Sequence, residues 1–581
     1  MFLHHESRLP FCYYDKNLGK LTVKIICSSD IKKVTLIYGD PFMYKKTEKL
    51  DEYGNNIWTW EYEKLDLSYQ YISEKNIMWR ANLTLPKTKR IKYAFILTDT
   101  SDKIIYYSEN GTMEFTEFAS NMPHNHFYMP FIHEVDALYA PEWANNVIWY
   151  QIFPDRFSNG DNSISPKNIE NWETGKPTPT NFFGGDLRGI INKLPYLNEL
   201  GVTGIYMTPI FTSPTNHKYD IQDYFEIDPA FGDLKTLKEL VKKAHEMGIK
   251  VMLDAVFNHI GSKHVFWQDI LKNQERSKYK DYFHIQSFPV YDNYNSRESL
   301  NYHTFGFSTN MPKWNTENPE ARKYLIDAAL YWIKECDIDG WRLDVSDEVS
   351  FDFWHDFRKA IADVKKDFYV LGEIWHDPTK WLSGRYFDAA MNYPLGHLIK
   401  DMFINKRISP DIFSQELNVK MMKFSDIHNQ IQFNLMDSHD TARLLTQARG
   451  NKLAVKNAFL FMLFMKGAPC VYYGTEIAME GSGDPDCRRP MIWDEKRQDK
   501  EMLEFFKAVI SLRKRYNSLV QDAGIYYKRD GDLCSWRLSD GKSDITIFYN
   551  AGEEDIRLMG EVKLSTSASG EVLKGNSIVI V

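Results

Sequence analysis

The sequence predicts an α/β fold: a (β/α)8 TIM barrel with a subdomain inserted after its third strand, plus N-terminal and C-terminal β-sandwich domains. Three observations predict it. From Val147 onward, eight short apolar segments alternate with helical patterns, the order of a parallel barrel. About sixty residues separate Asn258, which follows the third segment, from the helix at Pro319, too many for a plain connection. Both ends of the chain carry β-branched and aromatic runs instead of helical periodicity.

The elements follow in order. Leu21–Cys27, Val34–Gly39, Ile57–Tyr62 and Ile91–Thr98 read as strands, with turn signals such as Glu52-Tyr53-Gly54-Asn55 between them. They predict a sandwich over residues 1–125, followed by a polar, Pro-containing linker from Asn121 to Pro141. The barrel strands are Val147–Phe153, Val202–Pro209, Lys250–Val256, Gly340–Asp344, Tyr369–Glu373, Ala389–Tyr393, Gln432–Met436 and Cys470–Tyr473. Helical patterns lie at Leu234–Met247, Pro319–Glu335, Phe351–Lys365 and Lys500–Tyr516. The barrel is expected over 126–258 and 316–516, the insertion over 259–315 on the face formed by the βα loops, and a C-terminal β domain over 517–581. At 581 residues the chain has room for three or four units at about 150 residues each.

Composition excludes several classes. Lys and Arg number 71 against 79 Asp and Glu, a net charge of −8, so no basic field exists for nucleic acid or anionic lipid. The longest apolar run, Ala458 to Met465, is far below the ~18 residues that span a bilayer. Met1 to Pro10 holds no signal-peptide hydrophobic region, and the six cysteines form no C-x-x-C pair or zinc pattern. Reduced thiols in a cytoplasmic protein are the expected reading. Aromatic residues are abundant, 36 Phe, 34 Tyr and 15 Trp. They suit either a large core or a carbohydrate cleft.

Acidic residues stand at the C-terminal ends of several predicted strands: Asp254, Asp344, Glu373 and, after the seventh, Asp440. In a barrel these ends converge on one mouth. Strand periodicity puts Arg342 on the side of Asp344, and Trp375 on the side of Glu373. One such carboxylate is commonly a cap or turn former, and an Arg beside an Asp is usually a salt bridge. Several costly groups at one mouth need a use.

Four segments, Asp254-Ala255-Val256-Phe257-Asn258-His259, Gly340-Trp341-Arg342-Leu343-Asp344-Val345, Gly372-Glu373-Ile374-Trp375 and Ser438-His439-Asp440, resemble the signature regions of the α-amylase family of retaining glycoside hydrolases (glycoside hydrolase family 13). Met311-Pro312-Lys313-Trp314-Asn315 resembles the region that marks its cyclomaltodextrinase, neopullulanase and maltogenic amylase group, which usually has Leu where Trp314 stands. The resemblance covers essentially the whole chain. It implies hydrolysis of α-1,4 bonds in cyclodextrins, pullulan and malto-oligosaccharides, with Asp344 as nucleophile, Glu373 as general acid/base and Asp440 as the third, transition-state-stabilising carboxylate. Such chemistry needs Glu373 protonated while Asp344 is ionised. Nearby anions and desolvation are expected to raise the Glu373 pKa, and Arg342 to hold that of Asp344 down.

The resemblance also implies that His259 and His439 donate to sugar hydroxyls and that Tyr219 stacks on the sugar. Trp375 would pack on the aglycone side, and Asp484 and Arg488 would hold the non-reducing end. Asp254 is expected to tether Arg342. Asn159-Gly160-Asp161 and Phe183-Gly184-Gly185-Asp186 resemble the family calcium loop, implying a structural calcium on Asn159, Asp161, Gly184 and Asp186. The pattern normally adds Asn and Asp where Ile164 and Ser165 stand, a loss expected to weaken binding. A homodimer through the N-terminal domain is a further implication. Two alternatives stay open. One is a transglycosylase using the same carboxylates. The other is an inactive glycan-binding barrel, which would be expected to have lost a carboxylate, and none is lost.

Overall fold

A computed structural model describes residues 1–50, 52–73, 75–291, 300–558, 560–567 and 572–581. The chain forms two compact units. The first comprises Met1–Ala140, Ser409–Asn429 and Asp522–Phe548, and the second Pro141–Ile408, Gln430–Gln521 and Tyr549–Val581.

The first unit is a β-sandwich. In one sheet Lys20–Ser28 pairs antiparallel with Asn76–Leu83, and the latter with Ser68–Ile72. In the other, Ile91–Asp99 lies between Ile31–Gly39 and Ile104–Ser108. Leu21, Val23 and Ile25 from the first sheet share a buried cluster with Val34, Leu36, Phe95 and Leu97 from the second. These are alternate residues, the period-two pattern of facing sheets. The expected linker is partly structural: Phe127–Met129 pairs with Ile91–Tyr93, and Phe127 is buried. Gly524–Asp530 and Leu533–Ser539 form a hairpin here too, after a final helix that runs on to Asp522.

The second unit holds the barrel. Its strands are Trp149–Ile152, Gly204–Met207, Lys250–Ala255, Gly340–Leu343, Tyr369–Gly372, Ala389–Ala390, Phe433–Asn434 and Ala468–Tyr472. They pair in parallel from the sixth back to the first, then to the eighth and seventh. A parallel bridge between Met391 and Phe433 nearly closes the ring. The sixth strand is shorter than the apolar run suggested, because Asn392 accepts the amide N–H of Leu395 as an N-cap and starts the helix Tyr393–Phe403.

The insertion carries a helix, Val265–Asn273, and isolated bridges such as Phe283 to Trp314. Residues 292–299 of it lie outside the described residues. Trp314, the departure from the subgroup motif, is buried, stacks on Phe283 with centroids 4.7 Å apart, and donates its indole N–H to Tyr224 Oη at 3.1 Å. It therefore serves the core of the insertion. At the C-terminal end, Leu564–Ser565 pairs with Ile578–Ile580.

Candidate active site

The register of the third, fourth and fifth strands assembles the site. Asp254 is the direct neighbour of Arg342, and Leu343 that of Gly372, so the next residues, Asp344 and Glu373, emerge side by side. Arg342 is fully buried and binds three carboxylates. Its Nη1 lies 2.7 Å from Asp344 Oδ1 and 3.1 Å from Asp254, and its Nη2 lies 2.7 Å from Glu373 Oε1. Asp254 also accepts hydroxyl protons from Tyr206 at 2.6 Å and Tyr219 at 2.9 Å, so it acts as the tether expected of it.

Glu373 is held from both sides. Oε1 accepts the Trp375 indole N–H at 3.1 Å as well as Arg342, and Oε2 accepts the Val345 amide N–H at 3.0 Å. Val345 pays for that contact in backbone strain: its φ of 44° is left-handed, an outlier for a β-branched residue. Trp375 stacks on Tyr393 with 3.9 Å between centroids and remains 45 % exposed, an open platform beside the carboxylates.

His439 and Tyr219 are coupled through protons. Tyr219 donates to Asp254, so the 2.7 Å contact to His439 Nε2 requires that nitrogen to carry the hydrogen. Nδ1 is then free to accept the amide of Gln151 at 2.7 Å. Burial first, then the positive charges of Arg488 and Arg342, hold the His439 pKa well below the ordinary value, so the ring is neutral. His259 is likewise neutral, its pKa pushed by burial to about 3. Its Nε2 is buried without a protein partner and stacks beside Phe305, which lines the same cavity, at 5.0 Å.

Asp344 departs from the expectation that Arg342 holds its pKa down. Burial pushes Asp344 well above the usual carboxylate range, and Arg342 draws it down without offsetting the desolvation and the neighbouring Glu373. Asp440 is raised to about 7, by burial first and then by Glu373. Four acidic groups thus face one guanidinium, with Arg488 alongside at 3.5 Å from Asp440.

The cavity measures about 500 Å³ and brings together Tyr219, His259, Asp344, Glu373, Trp375, Asp440, Asp484 and Arg488. Asp484 and Arg488 form an ion pair at 3.0 Å on its edge. Arg342 and His439 lie beneath it, bonded to its lining. Sequence reasoning missed His217, Phe305, Met311, Val345, Asp347 and Glu348, which also line it. His217 carried a signal, standing two residues before Tyr219; Phe305 sits in an irregular insertion with no periodicity to reveal it.

The residues of the expected calcium loop are bonded to one another and to neighbouring backbone N–H groups. Asp186 caps the following helix through Gly189 N–H at 2.6 Å and accepts the N–H groups of Gly160 and Asp161 at 3.0 and 2.8 Å. Asp161 turns to Ser163, and the amide of Asn159 donates to Ser165 Oγ at 2.9 Å. Gly184 has φ +81°, and a Cβ there would meet that same Asn159 amide at 2.9 Å. Ser165, standing where an anionic ligand belongs, thus completes a hydrogen-bonded loop. Among the described residues no group of three or more His, Cys, Asp or Glu could hold a metal ion.

Residues 151–522 match the family described as alpha amylase, catalytic domain, and residues 1–133 the alpha amylase N-terminal Ig-like domain. The chain is 43 % identical over 574 residues to a cyclomaltodextrinase of Geobacillus thermopakistaniensis (strain MAS1), covering 98 % of this chain and 94 % of that protein. It is 42 % identical over 555 residues to an intracellular maltogenic amylase of Bacillus subtilis, covering 95 % and 89 %. A solved cyclomaltodextrinase superposes with a TM-score of 0.88 at 36 % identity, covering 100 % of this chain and 99 % of that one. With the carboxylates and Arg342 standing on adjacent barrel strands, the chain belongs to the α-amylase family of glycoside hydrolases.

Proposed function

We propose that this protein hydrolyses α-1,4-glycosidic bonds of cyclodextrins, pullulan and malto-oligosaccharides with retention of configuration. The observation that carries the reading is the single guanidinium of Arg342 shared by Asp344 and Glu373. Double displacement asks for two carboxyl groups about 5–5.5 Å apart, and two groups on one guanidinium are held close together. Arg342 engages Oδ1 of Asp344, which leaves Oδ2 to attack the anomeric carbon. Glu373 gives its proton to the departing oxygen, then takes one from the water that releases the sugar. Asp440 stabilises the positive charge of the oxocarbenium-like state. The unpartnered Nε2 of His259 is suited to a sugar hydroxyl, and Tyr219, whose hydroxyl receives the Nε2–H of His439, to stacking on the ring.

The exposed Trp375 favours a second reading, transglycosylation, because it offers an acceptor sugar a surface beside Glu373. The experiment is a rate comparison on β-cyclodextrin, pullulan and soluble starch, with product identification at low and high maltose. Hydrolysis of cyclodextrin faster than starch supports the proposal. Longer products accumulating at high maltose support transfer, and no turnover of any of them contradicts both.

The same reading includes self-association and cytoplasmic residence. Exposed Phe42, Trp58 and Phe118 on the N-terminal unit support self-association, and sedimentation velocity tests it. All six cysteines are free and buried, which suits a reducing compartment. Among the described residues, no helix is long and apolar enough to cross a membrane.

A further inference from the structure

A second cavity, of about 800 Å³, lies beside the loop that follows the first barrel strand and shares no lining residue with the catalytic one. Its walls pair two indoles, Trp172 and Trp493, with a set of asparagine amides that includes Asn162 and Asn192. Its two ionic residues, Glu170 and Lys193, are of opposite sign. Such a wall gives an anion no net field, and its amides give an apolar ligand no continuous surface. A neutral polyol presents C–H faces and hydroxyl edges together, which rings and amides match.

Trp172 is the fixed element. Its indole N–H donates to the carbonyl of Met491 at 2.9 Å, and its ring meets Phe183 edge-on at 6.4 Å. The same ring also borders a third cavity, of about 460 Å³, so one tethered indole has open space on two sides. Trp493 is tied by its N–H to Phe157 O at 2.6 Å, and the Lys193 ammonium lies 3.9 Å above its ring. It therefore forms a side wall with a cationic donor, and Trp172 is left as the stacking surface. Asn162 and Asn192 are exposed, and among the described residues their amides meet no protein partner.

We propose that this cavity is a second, non-catalytic binding site for a neutral α-glucan chain, with Trp172 as its platform. The inference rests on the α-glucan reading of the active site. A long chain held here is tethered to the enzyme, which raises its effective concentration at the active site.

The test titrates full-length Glu373→Gln protein with maltotetraose by calorimetry. Two classes of site are expected. Trp172→Ala in the same background removes one of them, weakening it about tenfold or more. Asn192→Ala, a change at an exposed helix position that does not threaten folding, weakens the same class. In the otherwise unaltered enzyme, Trp172→Ala raises KM for soluble starch and leaves kcat and KM for a short chromogenic maltoside unchanged. One class of site, untouched by either substitution, overturns this proposal and leaves the active-site reading standing. No binding of maltotetraose at all overturns both.

Discussion

Arg342 Nη2 lies 2.7 Å from Glu373 Oε1, so the guanidinium that holds Asp344 also holds its neighbour on the next strand. Because the three groups are buried, their mutual charges interact in a medium of low polarity, where an unpaired ion is costly.

Removing that cation should therefore be expensive. Arg342→Ala is expected to destabilise the protein by about 3–5 kcal/mol at neutral pH by leaving Asp254, Asp344 and Glu373 uncompensated. Arg342→Lys, which cannot offer two nitrogens in a rigid fork, is expected to fold but turn over β-cyclodextrin at least about a hundredfold more slowly. Thermal melts and kcat measurements check both.

Asp440 carries a pH signature. Its pKa is about 7 in the folded protein against 3.8 as the ordinary value, so the folded state binds the proton more tightly. Its contribution to stability is present below about pH 4 and is lost as pH rises through 7. Asp440→Asn should therefore raise the melting temperature more at pH 8 than at pH 5. More than a quarter of the side chain reaches solvent, which trims the effect. A larger gain at pH 5 would contradict the assignment.

Tyr219 should act through hydrogen bonds as well as stacking. Tyr219→Phe keeps the ring but removes the proton given to Asp254 and the oxygen that receives His439 Nε2–H. We expect kcat/KM on maltotriose to fall about tenfold with an unchanged circular dichroism spectrum.

The loop at Asn159 should be indifferent to calcium. The melting temperature in EGTA is expected to equal that in millimolar calcium chloride, since a native-state ligand would raise it by mass action. Ser165→Ala, which breaks the bond to Asn159, should cost about 1 kcal/mol in either buffer.

Much of the fold was legible because it is written in local pattern. Apolar segments separated by helical periods located all eight barrel strands, and period two placed Arg342 beside Asp344 and Trp375 beside Glu373, the contacts seen at 2.7 and 3.1 Å. What stayed hidden depends on tertiary relations. The register that sets Glu373 beside Arg342, the left-handed Val345 that aims an N–H at it, and the approach of Phe305 to His259 leave no mark in spacing. Nor does desolvation: Arg342 was expected to hold the Asp344 pKa down, but burial outweighs it. Nor does spacing show that the Asp186 carboxylate of the Asn159–Asp186 motif accepts the backbone N–H groups of Gly160, Asp161 and Gly189.

The central claim is that Asp344 attacks and Glu373 handles the proton. It is tested most directly by mass spectrometry of Glu373→Gln after brief reaction with α-maltosyl fluoride, whose leaving group needs no acid. Removing the acid/base should slow release of the glycosyl-enzyme by about 10²–10⁴-fold. The account predicts a maltosyl adduct on the peptide containing Asp344, absent from Asp344→Asn. An adduct on another carboxylate, or first-formed β-maltose with no adduct, would contradict it.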